Sequence, residues 1–240
     1  MSDLPKIIIL CGGRGVRIRQ LDNTVPKPLI PLGDKSILEL SLEHYYRLGF
    51  RDFIFCIGYK GDLIREKFTN WRDDIDVAFI DSGENASMLK RISDTRDLVD
   101  EDSIVVYGDT INKVDLNELI STHKNHGRLL TMVISEIMIP FGLIERERDR
   151  VTKFIEKPNF EYYIGTLAIN QKAFDYMTEE MIAQPDSWGL LTLFQDLIKL
   201  KEVSTYSFKG LQITFNTPIE HTTAQQQLSH YYTYIDREER

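Results

Sequence analysis

Cysteine is almost missing from these 240 residues: there are two, Cys11 and Cys56, each inside an apolar run. That excludes a disulfide framework and a cysteine-rich zinc site, and it reads as buried free thiols in a reducing cytoplasm. No apolar run approaches the roughly 20 residues that span a bilayer, and the N-terminus lacks the pattern of a secretory leader. Surplus positive charge is absent too. Against 29 Lys and Arg stand 37 Asp and Glu, a formal net charge of −8, which argues against nucleic acid or an anionic membrane as the main partner. Repeats, low-complexity tracts and linkers are also lacking, so residues 1–240 read as one domain with length enough for a full core.

Against that acidic background one cationic, glycine-rich stretch stands out. Lys6-Ile7-Ile8-Ile9-Leu10-Cys11 is apolar and β-branched, the pattern of a buried parallel strand. Gly12-Gly13-Arg14-Gly15-Val16-Arg17 follows, then Pro26-Lys27-Pro28. A glycine loop at the C-terminal end of such a strand lies where open α/β sheets bind ligands. Without Cβ atoms its backbone N–H groups can approach a triphosphate, and Arg17 and Lys27 supply fixed positive charge. A Walker A loop would continue Gly-Lys-Ser/Thr, and a dinucleotide fingerprint would need glycine where Ile18 stands. A glycine turn flanked by solvated arginines remains open on the loop alone; prolines on both sides of Lys27 fix its backbone and weigh against mere solvation.

Strand and helix patterns alternate through the first half. Ser36-Ile37-Leu38-Glu39 has capping-box spacing and opens a helix to about Leu48. Residues 53–57, 77–80 and 103–107 read as strands, and 60–68 as a helix. Asp115-Leu116-Asn117-Glu118 repeats the capping spacing for a helix ending at Gly127. The order predicts an α/β fold, a Rossmann-like doubly wound mixed sheet, with a nucleotide-binding half over about 1–128. From 129 shorter strands follow at 129–134, 142–144, 151–155, 162–169 and 203–208, with helices near 195–200 and 218–234, as an acceptor-binding half.

Two further positions carry chemistry. Asp109 comes straight after a buried strand and Gly108, so its carboxylate emerges at the ligand edge, where it suits Mg²⁺, a hard ion that bridges phosphates. A turn or N-cap aspartate is the plainer alternative. Glu156-Lys157-Pro158 ends another strand, and a lysine held there suits a second phosphate; a solvated turn has the same sequence.

These segments together, GGxGxR, Pro-Lys-Pro, Tyr107-Gly108-Asp109 and Glu156-Lys157-Pro158, resemble the sugar-1-phosphate nucleotidyltransferases over nearly the whole chain. Cys56-Ile57-Gly58-Tyr59-Lys60-Gly61, and the run from Tyr107 through His123-Lys124-Asn125-His126-Gly127, are most similar to the glucose-1-phosphate cytidylyltransferases; the compact length is nearer the heptose-phosphate guanylyltransferases. The resemblance implies the nucleotide-diphospho-sugar transferase fold. It also implies transfer of a nucleotidyl group, CTP favoured as donor, to a phosphorylated acceptor with release of pyrophosphate, feeding capsule, lipopolysaccharide or a related glycan. Leu10, Gly12, Gly13, Gly15 and Gly108 would then line the nucleotide. Arg17 would hold the β- and γ-phosphates and Lys27 would neutralise the α-phosphate. Asp109 would bind Mg²⁺, while Glu156, Lys157 and Gly165 would meet the acceptor. No histidine is needed as a base, because an acceptor phosphate is already a competent nucleophile.

The pattern also breaks. The family's second metal aspartate falls at Asn216 or Thr214, neither a carboxylate, and Glu220 nearby belongs to the capping box Thr217-Pro218-Ile219-Glu220. Asn216 offers an uncharged carbonyl oxygen, so weaker Mg²⁺ binding is expected. Val16 replaces a threonine. Ile164-Gly165 replaces an Asn-Gly or Ala-Gly pair at the sugar, and Glu84-Asn85-Ala86-Ser87-Met88 replaces a Gly-Gly stretch near the base. A regulatory binding protein that kept the pocket and lost a metal ligand therefore stays open beside the enzyme. The aromatic segment 228–234 reads as packing on the body or on a second subunit, which leaves a homo-oligomer open.

Overall fold

The computed structural model describes residues 4–18 and 20–238, with side chains as far as Leu228. β1 (Lys6–Leu10) buries its three isoleucines, as a strand covered on both faces must. The short strands β2 (Pro31–Leu32) and β3 (Lys35–Ser36) pair antiparallel and lead into α1 (Ile37–Arg47). The capping box there is complete: Ser36 Oγ accepts from the Glu39 N–H, and Glu39 Oε2 accepts from the Ser36 N–H at 2.7 Å. β4 (Asp52–Ile57), α2 (Gly61–Phe68), β5 (Asp76–Asp81), α3 (Met88–Ser93), β6 (Asp102–Tyr107), β7 (Thr110–Asn112) and α4 (Leu116–His126) follow. Asp115 Oδ1 caps α4 by accepting from the N–H groups of Asn117 and Glu118, and Gly127 ends it in the left-handed region. The second half holds β8 (Leu130–Met138), β9 (Leu143–Glu147), β10 (Arg150–Ile155), β11 (Asn159–Asn170), α5 (Glu179–Ala183), α6 (Trp188–Lys199), β12 (Val203–Ser207), β13 (Gln212–Thr214) and α7 (Pro218–Glu238).

Seven strands form one sheet in the order β12-β8-β11-β6-β1-β4-β5. β11 runs antiparallel to both neighbours and every other adjacent pair is parallel. From β1 the chain passes to β4 and β5 on one side, then crosses to β6 on the other, so the glycine loop leaves β1 at the topological switch point. Alternation along each strand feeds two cores. Ile7, Ile9, Phe53, Phe55 and Ile57 face α1, α2 and α4, while Ile8, Ile54 and Cys56 face Leu89 and Ile92 of α3 and Leu190, Leu193 and Leu197 of α6. A third cluster, with Ile18, Ile30, Leu32, Ile213 and Phe215, lies against Ala224 and Leu228 of α7.

Several sequence expectations need correction. The helix expected near 195–200 begins at Trp188: Leu190, Leu193 and Leu197 share one buried stripe, and Gly189 lets the helix reach the Met181 carbonyl, which a Cβ would meet at 2.0 Å. The strands expected at 142–144 and 151–155 pair only with each other, as the exposed ribbon β9–β10 outside the main sheet. α3 was not anticipated, since six residues are too few to show a helical period; its start is marked by Ser87, whose side chain accepts from the Lys90 N–H at 3.1 Å. Of the segment 228–234, Leu228 is buried in the third cluster; side chains 229–234 lie outside the described residues.

Both thiols are buried, with Cys11 Sγ donating to the Cys56 carbonyl and Cys56 Sγ to that of Arg91, each at 3.4 Å. Burial pushes the Cys56 thiol up to about 12 and that of Cys11 well above its usual value. Thiolate, the reactive form, is therefore scarce at neutral pH. Iodoacetamide at pH 7.5 is expected to leave the native protein unmodified by mass spectrometry and to add two groups after unfolding; labelling of the native chain at the unfolded rate would contradict the burial.

Candidate active site

A cavity of about 810 Å³ opens at the C-terminal ends of β1 and β6. Its floor is organised by Lys27. Pro26 is extended (φ −70°, ψ 154°), and the chain then turns sharply over Lys27–Leu29, with the Leu29 N–H donating to the Pro26 carbonyl at 2.9 Å. This directs a side chain only 7 % exposed into the cavity. Lys27 Nζ donates to Asp109 Oδ2 at 2.6 Å and to Asn216 Oδ1 at 3.2 Å, and lies 5.7 Å from the centre of the Phe215 ring.

Asp109 and Asn216 meet because β7 and β13 pair, with Thr110 opposite Thr214, and because Thr214 Oγ1 donates to the Asp109 carbonyl at 3.2 Å. Glu220 is engaged as the spacing implies, with one shift. Thr217 Oγ1 accepts from the Glu220 N–H at 3.2 Å, whereas Glu220 Oε2 accepts at 2.6 Å from the N–H of Asn216 instead of that of Thr217. Glu220 thus holds the Asn216 backbone.

The three loop glycines serve different ends. Gly13 has open space where a side chain would be, and Gly15 has φ +54° with Lys27 Cβ 3.1 Å from a would-be Cβ. At Gly12 a Cβ would lie 2.2 Å from Arg91 Nη1, so part of the reason for glycine here is a buried guanidinium rather than a phosphate. Arg14 Nη2 reaches across to Glu84 Oε2 at 3.0 Å and Asn85 Oδ1 at 2.9 Å, joining the glycine loop to the loop after β5. Arg17 lies exposed on the cavity wall in the turn Val16–Ile18.

Leu10, Gly12, Gly13, Gly15, Arg17, Lys27, Asp109 and Asn216 all line this one cavity. Four expected residues stand outside its lining. Gly108 lies beneath it, donating its N–H to the Leu10 carbonyl at 3.0 Å. Gly165 has φ +83°, and a Cβ there would strike the Tyr107 ring at 2.6 Å, so it supports a cavity wall. Glu156 and Lys157 sit on the turn after β10, both exposed, with Lys157 in the left-handed region and its Nζ 3.8 Å from Glu156 Oε1. Sequence reasoning missed Arg91 and the loop Pro185-Asp186-Ser187, all in the lining; Arg91 reads as one more cation in a polar stretch. Tyr163 packs between Tyr107 and Phe194, and burial pushes the Tyr107 hydroxyl up to about 12, so it stays a neutral phenol.

Among the described residues no three His, Cys, Asp or Glu side chains cluster as a metal cage. The donor set is one carboxylate, Asp109, and one amide oxygen, Asn216. That fits a Mg²⁺ ion completed by substrate phosphates and water, the usual mode for this ion.

The profile of the nucleotidyl transferase family matches residues 6–195. The chain is 30 % identical over 236 residues to a probable glucose-1-phosphate cytidylyltransferase of Bacillus subtilis, covering 88 % of this chain and 91 % of that protein. It is 32 % identical over 112 residues to a D-glycero-alpha-D-manno-heptose 1-phosphate guanylyltransferase of Campylobacter jejuni, covering 47 % and 51 %. In fold it superposes on HddC from Yersinia pseudotuberculosis, a structure complexed with GMP-PN, with a TM-score of 0.70 at 19 % identity, covering 94 % of this chain and all of that one.

Proposed function

This chain belongs to the nucleotidyl transferase family, and on that premise we propose that it is a Mg²⁺-dependent enzyme joining CTP to a sugar-1-phosphate, with release of pyrophosphate. Sugar-1-phosphate nucleotidyl transfer is common to the relatives compared above; CTP is favoured by the cytidylyltransferase match over most of the chain. The observation that carries the reading is the cation pair Arg17 and Lys27 in one cavity with Asp109 and Asn216.

An oxygen of the acceptor phosphate attacks the α-phosphorus. The bond from that phosphorus to the bridging oxygen of the β-phosphate breaks, and pyrophosphate leaves with the electron pair. No proton has to be removed from the nucleophile, so positioning and charge stabilisation supply the catalysis. Lys27, fixed between its prolines, offers an ammonium to the α-phosphate, and Arg17 reaches the β- and γ-phosphates. Asp109 and Asn216 would hold Mg²⁺, which would supply further neutralisation of the triphosphate. Glu156 and Lys157, exposed on the turn after β10 and outside the cavity lining, would meet the acceptor from there.

The test is pyrophosphate release with each of the four NTPs against a panel of sugar-1-phosphates, for the wild type and Asn216→Asp together. A wild-type signal confined to one pair identifies donor and acceptor; no signal from wild type with a signal from the variant would favour a silenced binding protein, the reading Asn216 supports. For an active wild type, Asn216→Asp adds a second carboxylate and is expected to lower the Mg²⁺ needed for half-maximal rate by roughly 10-fold, since ligand charge tunes divalent affinity. An unchanged Mg²⁺ requirement would contradict a metal role for position 216.

A further inference from the structure

Arg91 is 3 % exposed, and no ion pair among the described residues includes it. A guanidinium taken from water needs hydrogen-bond acceptors, and here three backbone carbonyls supply them. Arg91 Nη1 donates to the Ile57 carbonyl, and Nη2 to the carbonyls of Gly12 at 3.1 Å and Gly83 at 2.8 Å. These carbonyls come from the last residue of β4 and from the loops that follow β1 and β5. Two glycines make the space: a Cβ on Gly12 would lie 2.2 Å from Nη1, and one on Gly58 would lie 2.7 Å from both terminal nitrogens. The Gly12 carbonyl also accepts from the Tyr59 N–H at 3.0 Å. One planar group with forked donors therefore pins the loop after β1, the turn after β4 and the loop after β5, and the first and last of these line the cavity. A lysine, a point charge with no such fork, could not make the same three contacts.

We propose that Arg91 is a positioning residue for nucleotide binding, setting the glycine loop and the loop 83–87 at the separation that admits the NTP. The inference rests on the nucleotidyltransferase reading and adds to it a residue outside the phosphate-binding and metal sets. The same clamp explains how Arg14 meets Glu84 and Asn85 across the cavity mouth, since both loops hang from it.

The test compares wild type, Arg91→Lys and Gly58→Ala, the second of which keeps the arginine and crowds both its terminal nitrogens and the Gly83 carbonyl it holds, 2.8 Å from a Cβ there. Each is titrated by calorimetry with the four NTPs in Mg²⁺, and KM and kcat are measured for the NTP and acceptor identified by the release panel. Loss of charged hydrogen bonds of this kind is expected to raise the NTP Kd and KM by about 10- to 100-fold. The acceptor KM should stay within about threefold and kcat should fall far less than NTP affinity. Unchanged NTP affinity in both variants overturns the inference. So does an equal loss for NTP and acceptor accompanied by a fallen Tm, the signature of a merely structural arginine. If Arg91→Lys does not fold, Gly58→Ala decides between the same outcomes. A wild type that binds no NTP overturns the parent reading and this one with it, whereas a wild type that binds and variants that bind equally overturn this one alone.

Discussion

Lys27→Met is expected to lower kcat by about 10²- to 10³-fold, the usual cost of removing a preorganised group from developing charge, while the NTP Kd changes by less than about 10-fold because other groups still hold the triphosphate. Lys27 is 7 % exposed and held at 2.6 Å from Asp109 Oδ2 and 3.2 Å from Asn216 Oδ1. A cation withdrawn from water interacts more strongly than one on the surface, and the turn at Pro26–Pro28 fixes the backbone of Lys27, so that only its ammonium has to pass from Asp109 and Asn216 to the phosphate. Methionine keeps the length and apolar stem but removes the charge. It leaves Asp109 without its lysine, but that carboxylate is 35 % exposed and water can reach it, so the fold should survive. A single-turnover rate within threefold of wild type would show that Lys27 is a structural partner of Asp109 and nothing more.

Phe55→Ala is expected to cost about 3–5 kcal/mol in unfolding free energy, the range for truncating a fully buried phenylalanine. Phe55 is 1 % exposed in the middle of β4, with ring centroids 5.3 Å from both Phe68 of α2 and Phe79 of β5. Removing the ring leaves a void between sheet and helix that two aromatic neighbours cannot both close. At roughly 2–4 °C per kcal/mol for a chain of this size, Tm should fall by about 10 °C. Urea titration gives the free energy; a loss under about 1 kcal/mol would mean that the core repacks around the gap.

The doubly wound half was legible because its signals are local and repeated. Ser36 and Asp115 announced their helices by cap spacing, and the isoleucine run of β1 could hardly be anything but a two-sided strand. Gly12 to Arg17 and Asp109 were legible as converging at the sheet edge, where the cavity lies, because strand ends at a switch point are where side chains and loops meet. What the sequence could not convey is contact between distant segments. Nothing local ties Asp109 to Asn216, which meet through the pairing of β7 and β13, or Lys27 to either of them. Arg91 was hidden for the same reason, since its three carbonyl partners and two clearing glycines are scattered between residues 12 and 83. The ribbon β9–β10 misled in the opposite direction: Ile144, Val151 and Phe154 look like core by composition and are exposed.

The central claim, acceptor-dependent nucleotidyl transfer, is tested most directly by ³¹P NMR of the wild-type reaction with Mg²⁺, an NTP and a sugar-1-phosphate. The account predicts one pyrophosphate for every NDP-linked product, and none of either when the acceptor is omitted or replaced by the unphosphorylated sugar. NTP consumed without a phosphorylated acceptor, or NTP left intact with every acceptor of the panel, would contradict it.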